Sequence, residues 1–238
     1  GRGSNLLIKD GGIRGLVIHP SGGEFDLLEV EGEVITAGGG VKLKQLAYAA
    51  KAAGIGGFEW MEGIPGEVGG GLRMNAGAMG SETFNQVVSI RYLGSQGQIH
   101  EATPADLEIH YRDVPSLKKN YALSATFKGF PSSREEISRL LDVSNEKRKK
   151  SQPAASSAGC IFKNPAVCPA GKLIDELGLK DTNIGPARVS DVHGNFIVND
   201  GGASAVEVLA LIDLIKTTAL ERRGIRLETE VQIMGEEL

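Results

Sequence analysis

An α+β fold is predicted, and three observations predict it. Strand-like and helix-like stretches mix without the strict strand–helix alternation that a parallel sheet demands. Glycine is concentrated before residue 81, whereas a second run of helices and strands follows a Pro131-Ser132-Ser133 break. That break marks a domain boundary, giving expected domains at 1–131 and 132–238.

The first apolar stretch is Leu6-Leu7-Ile8, and strand-like runs follow at 15–19, 25–31 and 33–37. From 41 to 53 the period changes, because Val41, Leu43, Leu46, Ala47 and Ala50 suit one face of a helix. A glycine-dense loop is expected over 63–80, with strands returning at 86–93 and 122–127. Ser133, with Glu136 three residues on, predicts a helix start. Ile137, Leu140, Leu141 and Ser144 line the buried side of that helix. The second domain reads on as a short helix at 170–177, a strand at 195–199, a long helix at 204–222 and a final strand at 226–234. In that last strand Leu227, Thr229, Val231 and Ile233 alternate with Arg226, Glu228, Glu230 and Gln232.

Composition excludes several classes. With 24% charged and 41% apolar residues over 238 positions, the chain has an ordinary globular make-up and enough length to bury a core. A formal net charge of −4 argues against nucleic acid as the main partner. No apolar stretch approaches the roughly 20 residues of a membrane span, so no membrane association is expected. No secretory signal opens the sequence, which makes the cytoplasm the expected compartment; separately, a monomer is the expected state. Cys160 and Cys168 are too few and too awkwardly spaced for a zinc site or a disulfide framework, and no metal is expected.

Glycine is the unusual number, 33 of 238 against an average of ~7%. Two segments, Gly63-Ile64-Pro65-Gly66-Glu-Val-Gly69-Gly70-Gly71 and Met74-Asn75-Ala76-Gly77-Ala-Met79-Gly80, hold many of them. Bare backbone lets successive N–H groups converge on an anion, which points to a diphosphate-bearing ligand. No G-x-G-x-x-G follows a strand and no Gly-Lys-Ser/Thr closes the loop, so it is neither a Rossmann fingerprint nor a P-loop. On glycine content alone, a purely structural loop is an equal reading.

The wording of these segments tips the balance. Together with Gly1-Arg2-Gly3-Ser4-Asn5-Leu-Leu, they resemble the flavin-binding segments of the UDP-N-acetylenolpyruvoylglucosamine reductase family. The resemblance continues through Tyr111-Arg112-Asp113, Ala158-Gly159-Cys160-Ile-Phe162-Lys163-Asn164-Pro165 and Gly171-Lys172-Leu173-Ile174. Val189-Ser190, His193, Asn195-Phe196-Ile-Val198-Asn199 and Glu230-Val231 through Gly235 complete it, so it spans essentially the whole chain. It implies an FAD-binding region over 1–131 and a substrate-binding domain over 132–238. It also implies FAD and NADPH as cofactors, and a UDP-amino-sugar enolpyruvyl ether as substrate. Gly3, Ser4, Asn5, Ile64, Pro65, Gly66, Gly70, Asn75, Ala76 and Gly77 are then expected to contact FAD.

The sequence departs from the family pattern in three places. The family carries a further N-terminal lobe ahead of the Gly-x-Gly-Ser-Asn segment, so an incomplete FAD module is expected here; the chain is also too short for the substrate-covering insertion of one family branch, which implies the shorter type. Met79 stands where tyrosine is usual, and Val114 where serine is usual. Cys160 occupies a position that is serine in many members and cysteine in some.

For the implied reaction, hydride addition to an enolpyruvyl double bond generates an enolate beside a carboxylate. That chemistry calls for a cation and for an acid able to protonate carbon. Cys160 is the candidate acid, since a thiol of pKa about 8.5 is mostly protonated at neutral pH. Arg112 is the candidate for holding the carboxylate and Glu230 for a second acid or hydrogen-bonding partner. Taken alone, the three are equally an inert core thiol, a surface charge and an exposed strand carboxylate. Asn164, His193 and one basic residue of the run 147–150, with Lys150 among them, are candidates for substrate contacts. Two alternatives stand beside the reductase: another FAD oxidoreductase on the same scaffold, and a non-catalytic flavin-binding or nucleotide-sugar-binding remnant.

Overall fold

The structure is a computed structural model and describes residues 1–237. Its main elements run β1 (Leu6–Ile8), β2 (Leu28–Glu31), β3 (Val34–Gly38), α1 (Leu43–Ala53) and α2 (Val68–Arg73). Next come β4 (Val87–Leu93), β5 (Ile99–Ala102), β6 (Tyr121–Lys128) and α3 (Arg134–Ser151). The chain continues through β7 (Ser157–Cys160), α4 (Ala170–Glu176), β8 (Asn183–Ile184) and β9 (Ala187–Val189). It ends with β10 (Phe196–Asn199), α5 (Ala205–Arg223) and β11 (Gln232–Met234). The class is α+β. Two units form, one from Gly1–Arg2 and Ile18–Arg148, the other from Gly3–Val17 and the chain from Lys149 onward.

In the first unit an antiparallel sheet of order β2-β3-β6-β4-β5 carries α1 on one face. Strand pleating decides which side chains reach the core. Ile35, Ala37, Ala125 and Phe127 point inward beside Leu43, Leu46, Ala47 and Ala50 of α1. Thr36 and Thr126, one residue over, pair across the other face with their hydroxyls 3.4 Å apart. Gly54 closes α1 in the left-handed conformation with φ 71°, a backbone state costly to other residues.

The second unit holds a four-stranded antiparallel sheet of order β7-β10-β9-β8, and β1 runs parallel to β11. Leu211, Ile212, Ile215 and Ala219 of α5 share a core with Leu173 and Ile174 of α4 and with Val189 and Ile197 of the sheet. Ser204 and Glu207 form a capping box at the start of α5, and Gly224 ends it at φ 66°. Asp10 adds a second cap, its carboxylate accepting from the amides of Ala205 at 2.7 Å and Val206 at 3.0 Å. Four N–H groups at a helix start lack internal partners, so this carboxylate stabilises α5 and ties the segment after β1 to it.

Three expected elements come out differently. The run at 15–19 is not a strand: no neighbour pairs with it among the described residues, and Leu16 is 85% exposed. Apolar, β-branched composition does not make a strand without a ladder partner. The expected loop 63–80 contains α2. Of its glycines, Gly69 packs onto backbone: a Cβ there would stand 3.1 Å from the Gly39 carbonyl. The final strand shortens to β11, since the chain before it bonds elsewhere, Thr229 bridging to Phe162 and Glu228 accepting from the Lys163 amide at 2.9 Å. Leu227 and Val231 are buried as the alternation predicts, while Ile233 is 37% exposed.

Candidate active site

In the first unit the glycine-rich chain between α1 and β4 is laid along the segment preceding α1. Leu43 N–H donates to Gly66 O at 3.1 Å, and Val68 and Gly69 donate to the carbonyls of Val41 and Gly39 at 2.8 Å each. Gly39 was not singled out in the sequence, yet its backbone supports this turn. Ile64 packs against the core. At Gly66 and Gly70 a Cβ would meet nothing closer than 3.7 and 4.0 Å, and neither residue needs positive φ. Packing within the chain therefore does not demand glycine at these two positions. Bare backbone at these positions leaves room for a ligand to approach.

Asn75 and Arg112 meet in the same unit, and both take positive φ, 43° and 56°. Such backbone is strained for residues with a Cβ and persists where the surroundings impose it. Asn75 is 1% exposed. Its Nδ2 donates to Glu82 Oε2 at 2.8 Å and to His110 O at 3.3 Å, while its Oδ1 accepts from Phe84 N at 3.2 Å. Its carbonyl accepts from Arg112 Nη1 at 3.2 Å, and Gly77 O accepts from Nη2 at 2.7 Å. The guanidinium also lies 4.9 Å from the centre of the Tyr111 ring. At Gly77 glycine is required by packing, for a Cβ would press on Ser81 O at 2.5 Å and on Arg112 Nη1 at 3.0 Å. Ala76 is buried. Arg112 is thus fastened to two of the residues expected at the cofactor. Glu82, one of the partners that secure Asn75, was not singled out in the sequence.

The second unit gathers the other candidates. Cys160 ends β7 opposite Phe196, after a register shift between Ser157 and Cys160, a stretch in which Gly159 takes φ 79°. The next residues pair on their other side with the C-terminal segment: Phe162 bridges Thr229, and Glu230 N–H donates to Ile161 O at 2.8 Å. That antiparallel register sets Glu230 opposite Ile161, the residue that follows Cys160. Cys160 and Glu230 are both half-buried. Asn5, expected at the cofactor, donates from Nδ2 to Glu230 O at 3.0 Å and accepts from Gln232 N at 2.9 Å. Ser4 is half-buried, and Gly3 turns the chain at φ 70° with its carbonyl accepting from Leu6 N–H.

Asn164 Oδ1 accepts from Ala170 N at 2.9 Å, a bond that caps α4. His193 is half-buried; its Nδ1 accepts from Asn195 N at 3.1 Å, which puts the ring proton on Nε2 in the neutral form. Burial, reinforced weakly by Lys180, pushes its pKa below the usual value. Pro65 shows no specific contact that distinguishes it. In the basic run Lys150 is exposed, whereas Arg148 is half-buried and its guanidinium occupies the space a side chain at Gly63 would fill. A cleft of about 360 Å³ in this unit is lined by Gly3, Leu6, Asp10, Ile161 and Val231, without Cys160 or Glu230. Among the described residues no cluster of three metal-ligating side chains occurs, and no helix is long and apolar enough to cross a membrane.

Comparison with known proteins joins these features. Residues 1–103 match the FAD binding domain family. Residues 152–234 match the C-terminal domain of UDP-N-acetylenolpyruvoylglucosamine reductase. An FAD-binding module followed by a reductase domain defines a flavin-dependent oxidoreductase. The reductase of Bacillus subtilis is 44% identical over 238 residues, covering 99% of this chain and 78% of the relative. That of Beijerinckia indica is 39% identical over 236 residues, covering 99% and 76%. The crystal structure of the Thermus caldophilus UDP-N-acetylenolpyruvylglucosamine reductase superposes with a TM-score of 0.87 at 37% identity, covering 97% of this chain and 82% of that one. The chain belongs to the UDP-N-acetylenolpyruvoylglucosamine reductase family.

Proposed function

We propose that the chain reduces the enolpyruvyl ether of UDP-N-acetylglucosamine to the D-lactyl ether of UDP-N-acetylmuramate, a cytoplasmic step of peptidoglycan precursor synthesis. FAD, reloaded by NADPH, supplies the hydride when bound. Gly66 and Gly70, with no packing reason to be glycine, are suited to let a diphosphate approach the backbone, and Ile64, Pro65 and Ala76 complete that wall. Gly3, Ser4 and Asn5 are assigned to the cofactor on the family resemblance. Asn75 and Gly77 belong to the same lining and, through their carbonyls, aim the Arg112 guanidinium.

Arg112 holds the substrate carboxylate and stabilises the enolate that develops when hydride reaches the neighbouring carbon. Cys160 gives its proton to the enolate carbon, and the thiolate left behind is reprotonated from solvent before the next turnover. Glu230 hydrogen-bonds at the enolate and is the second acid of the site. Asn164, His193 and the basic run at Lys147–Lys150, represented by Lys150, are assigned to the nucleotide sugar. The observation that supports this reading most is the backbone pairing of 161–163 with 228–230, which lays the chain at Glu230 against the residue that follows Cys160. The test is NADPH consumption by the FAD-loaded protein. It should depend on UDP-N-acetylglucosamine enolpyruvate and yield a product heavier by two hydrogens. NADPH consumption that ignores the enolpyruvyl sugar would point to another oxidoreductase.

A further inference from the structure

The segment that follows Cys160 pairs with the segment that carries Glu230 only if residues 160–163 keep one register, and the β7–β10 ladder cannot set it alone. That ladder is already shifted between Ser157 and Cys160, and Cys160 opposite Phe196 is its last pair. Beyond it stands Asn195, 2% exposed and just ahead of β10. Its Oδ1 accepts from Phe162 N at 2.9 Å, its Nδ2 donates to Phe162 O at 2.8 Å, and its own carbonyl accepts from Ile161 N at 2.9 Å. The side-chain amide acts as one more peptide unit and extends the sheet by a residue. On the opposite edge the same short segment carries the bonds to Glu228 and Glu230.

We propose that Asn195 is a positioning residue for the reaction: it fixes the register of Ile161 and Phe162, and through them the placement of Cys160 relative to the chain that carries Glu230. The proposal rests on the reading of these two as the reactive pair. Alanine offers neither bond. A protonated aspartic acid offers both, since its O–H donates to Phe162 O while its C=O accepts from Phe162 N–H. An ionised aspartate offers only acceptors and faces the Phe162 carbonyl with like polarity. A buried carboxyl titrates above its usual range. The titratable groups around the clamped segment are Cys160 and Lys163 within it, Glu228 and Glu230 on the chain paired with it, and His193, whose Nδ1 accepts the Asn195 backbone amide.

The test compares Asn195→Ala and Asn195→Asp with the parent by residue-resolved hydrogen exchange and by alkylation of Cys160 relative to Cys168. In the alanine variant the Phe162 amide should lose roughly 10- to 100-fold of its protection, as the loss of two buried hydrogen bonds implies, while the amides of α5 keep theirs. Cys160 alkylation should change while that of Cys168 does not. In the aspartate variant Phe162 protection, corrected for intrinsic exchange, should be present at low pH and lost as pH rises, with no such loss in the parent. With flavin bound, reduction by NADPH should be unchanged and reoxidation by the enolpyruvyl substrate slowed in the alanine variant.

Unchanged Phe162 protection in folded Asn195→Ala overturns the proposal. So does a uniform loss across α5 and both thiols, which marks a merely structural residue. If the alanine variant does not fold, an aspartate variant without pH-dependent protection overturns it equally. A parent inert toward the enolpyruvyl substrate would instead sink the functional reading and leave the exchange result standing.

Discussion

Asn75 and Arg112 hold left-handed backbone, and the bonds between them show what imposes it. The Asn75 side chain spans Glu82, His110 and Phe84, and its carbonyl receives the Arg112 guanidinium. Cys160 has a different kind of support, a register shift on one side and the C-terminal segment on the other. Removing the Cys160 thiol should separate the two half-reactions in the flavin-loaded protein. Cys160→Ala should leave reduction by NADPH nearly intact and slow reoxidation by substrate by roughly 10²–10⁴-fold, the range for a lost general acid. Cys160→Ser should retain more than alanine, because a hydroxyl keeps the geometry. Reoxidation of the alanine variant at the parental rate would move the proton to another donor, Glu230 first. The residue types at this site were legible because Cys160 and Arg112 sit in distinctive local wording. Asn195 and Asn5 were not legible in their bonding, since Phe162 lies 33 positions from one and Glu230 lies 225 positions from the other.

At the scale of elements, local signals survived where the element carries its own reasons. α1 follows from its apolar face and its glycine stop, and α5 from a capping box and a glycine stop. β5, β7, β8 and β9 escaped because each is at most four residues long and exists through its partner. The Asp10 cap escaped too: nothing near Asp10 announces a helix that begins at Ala205. Its worth is measurable. Asp10→Ala should lower the unfolding free energy by about 1 kcal/mol, the usual scale for losing a carboxylate at a helix start. Asp10→Asn should recover part of that, since an amide oxygen still accepts. A urea unfolding series monitored by circular dichroism reads both, and equal stability of Asp10→Ala and the parent would show that Ser204 and Glu207 suffice as the cap.

At the scale of the molecule, the α+β class and the FAD-binding region followed by a reductase domain were readable from ordered motifs, and the family matches agree with both. What the sequence could not give is the division of the chain: residues 3–17 sit in the same unit as the C-terminal segment because β1 pairs with β11, a contact across almost the full length. The boundary expected at 131 lies ahead of α3, whose residues down to Arg148 belong to the first unit. The central claim is a flavin that passes hydride to an enolpyruvyl nucleotide sugar on this chain. The most direct measurement is one anaerobic stopped-flow trace, in which FAD-loaded protein is photoreduced and then mixed with UDP-N-acetylglucosamine enolpyruvate. Oxidised-flavin absorbance should return in proportion to substrate added, and should not return with UDP-N-acetylglucosamine alone. A flavin that stays reduced in the presence of the enolpyruvyl sugar would contradict the account.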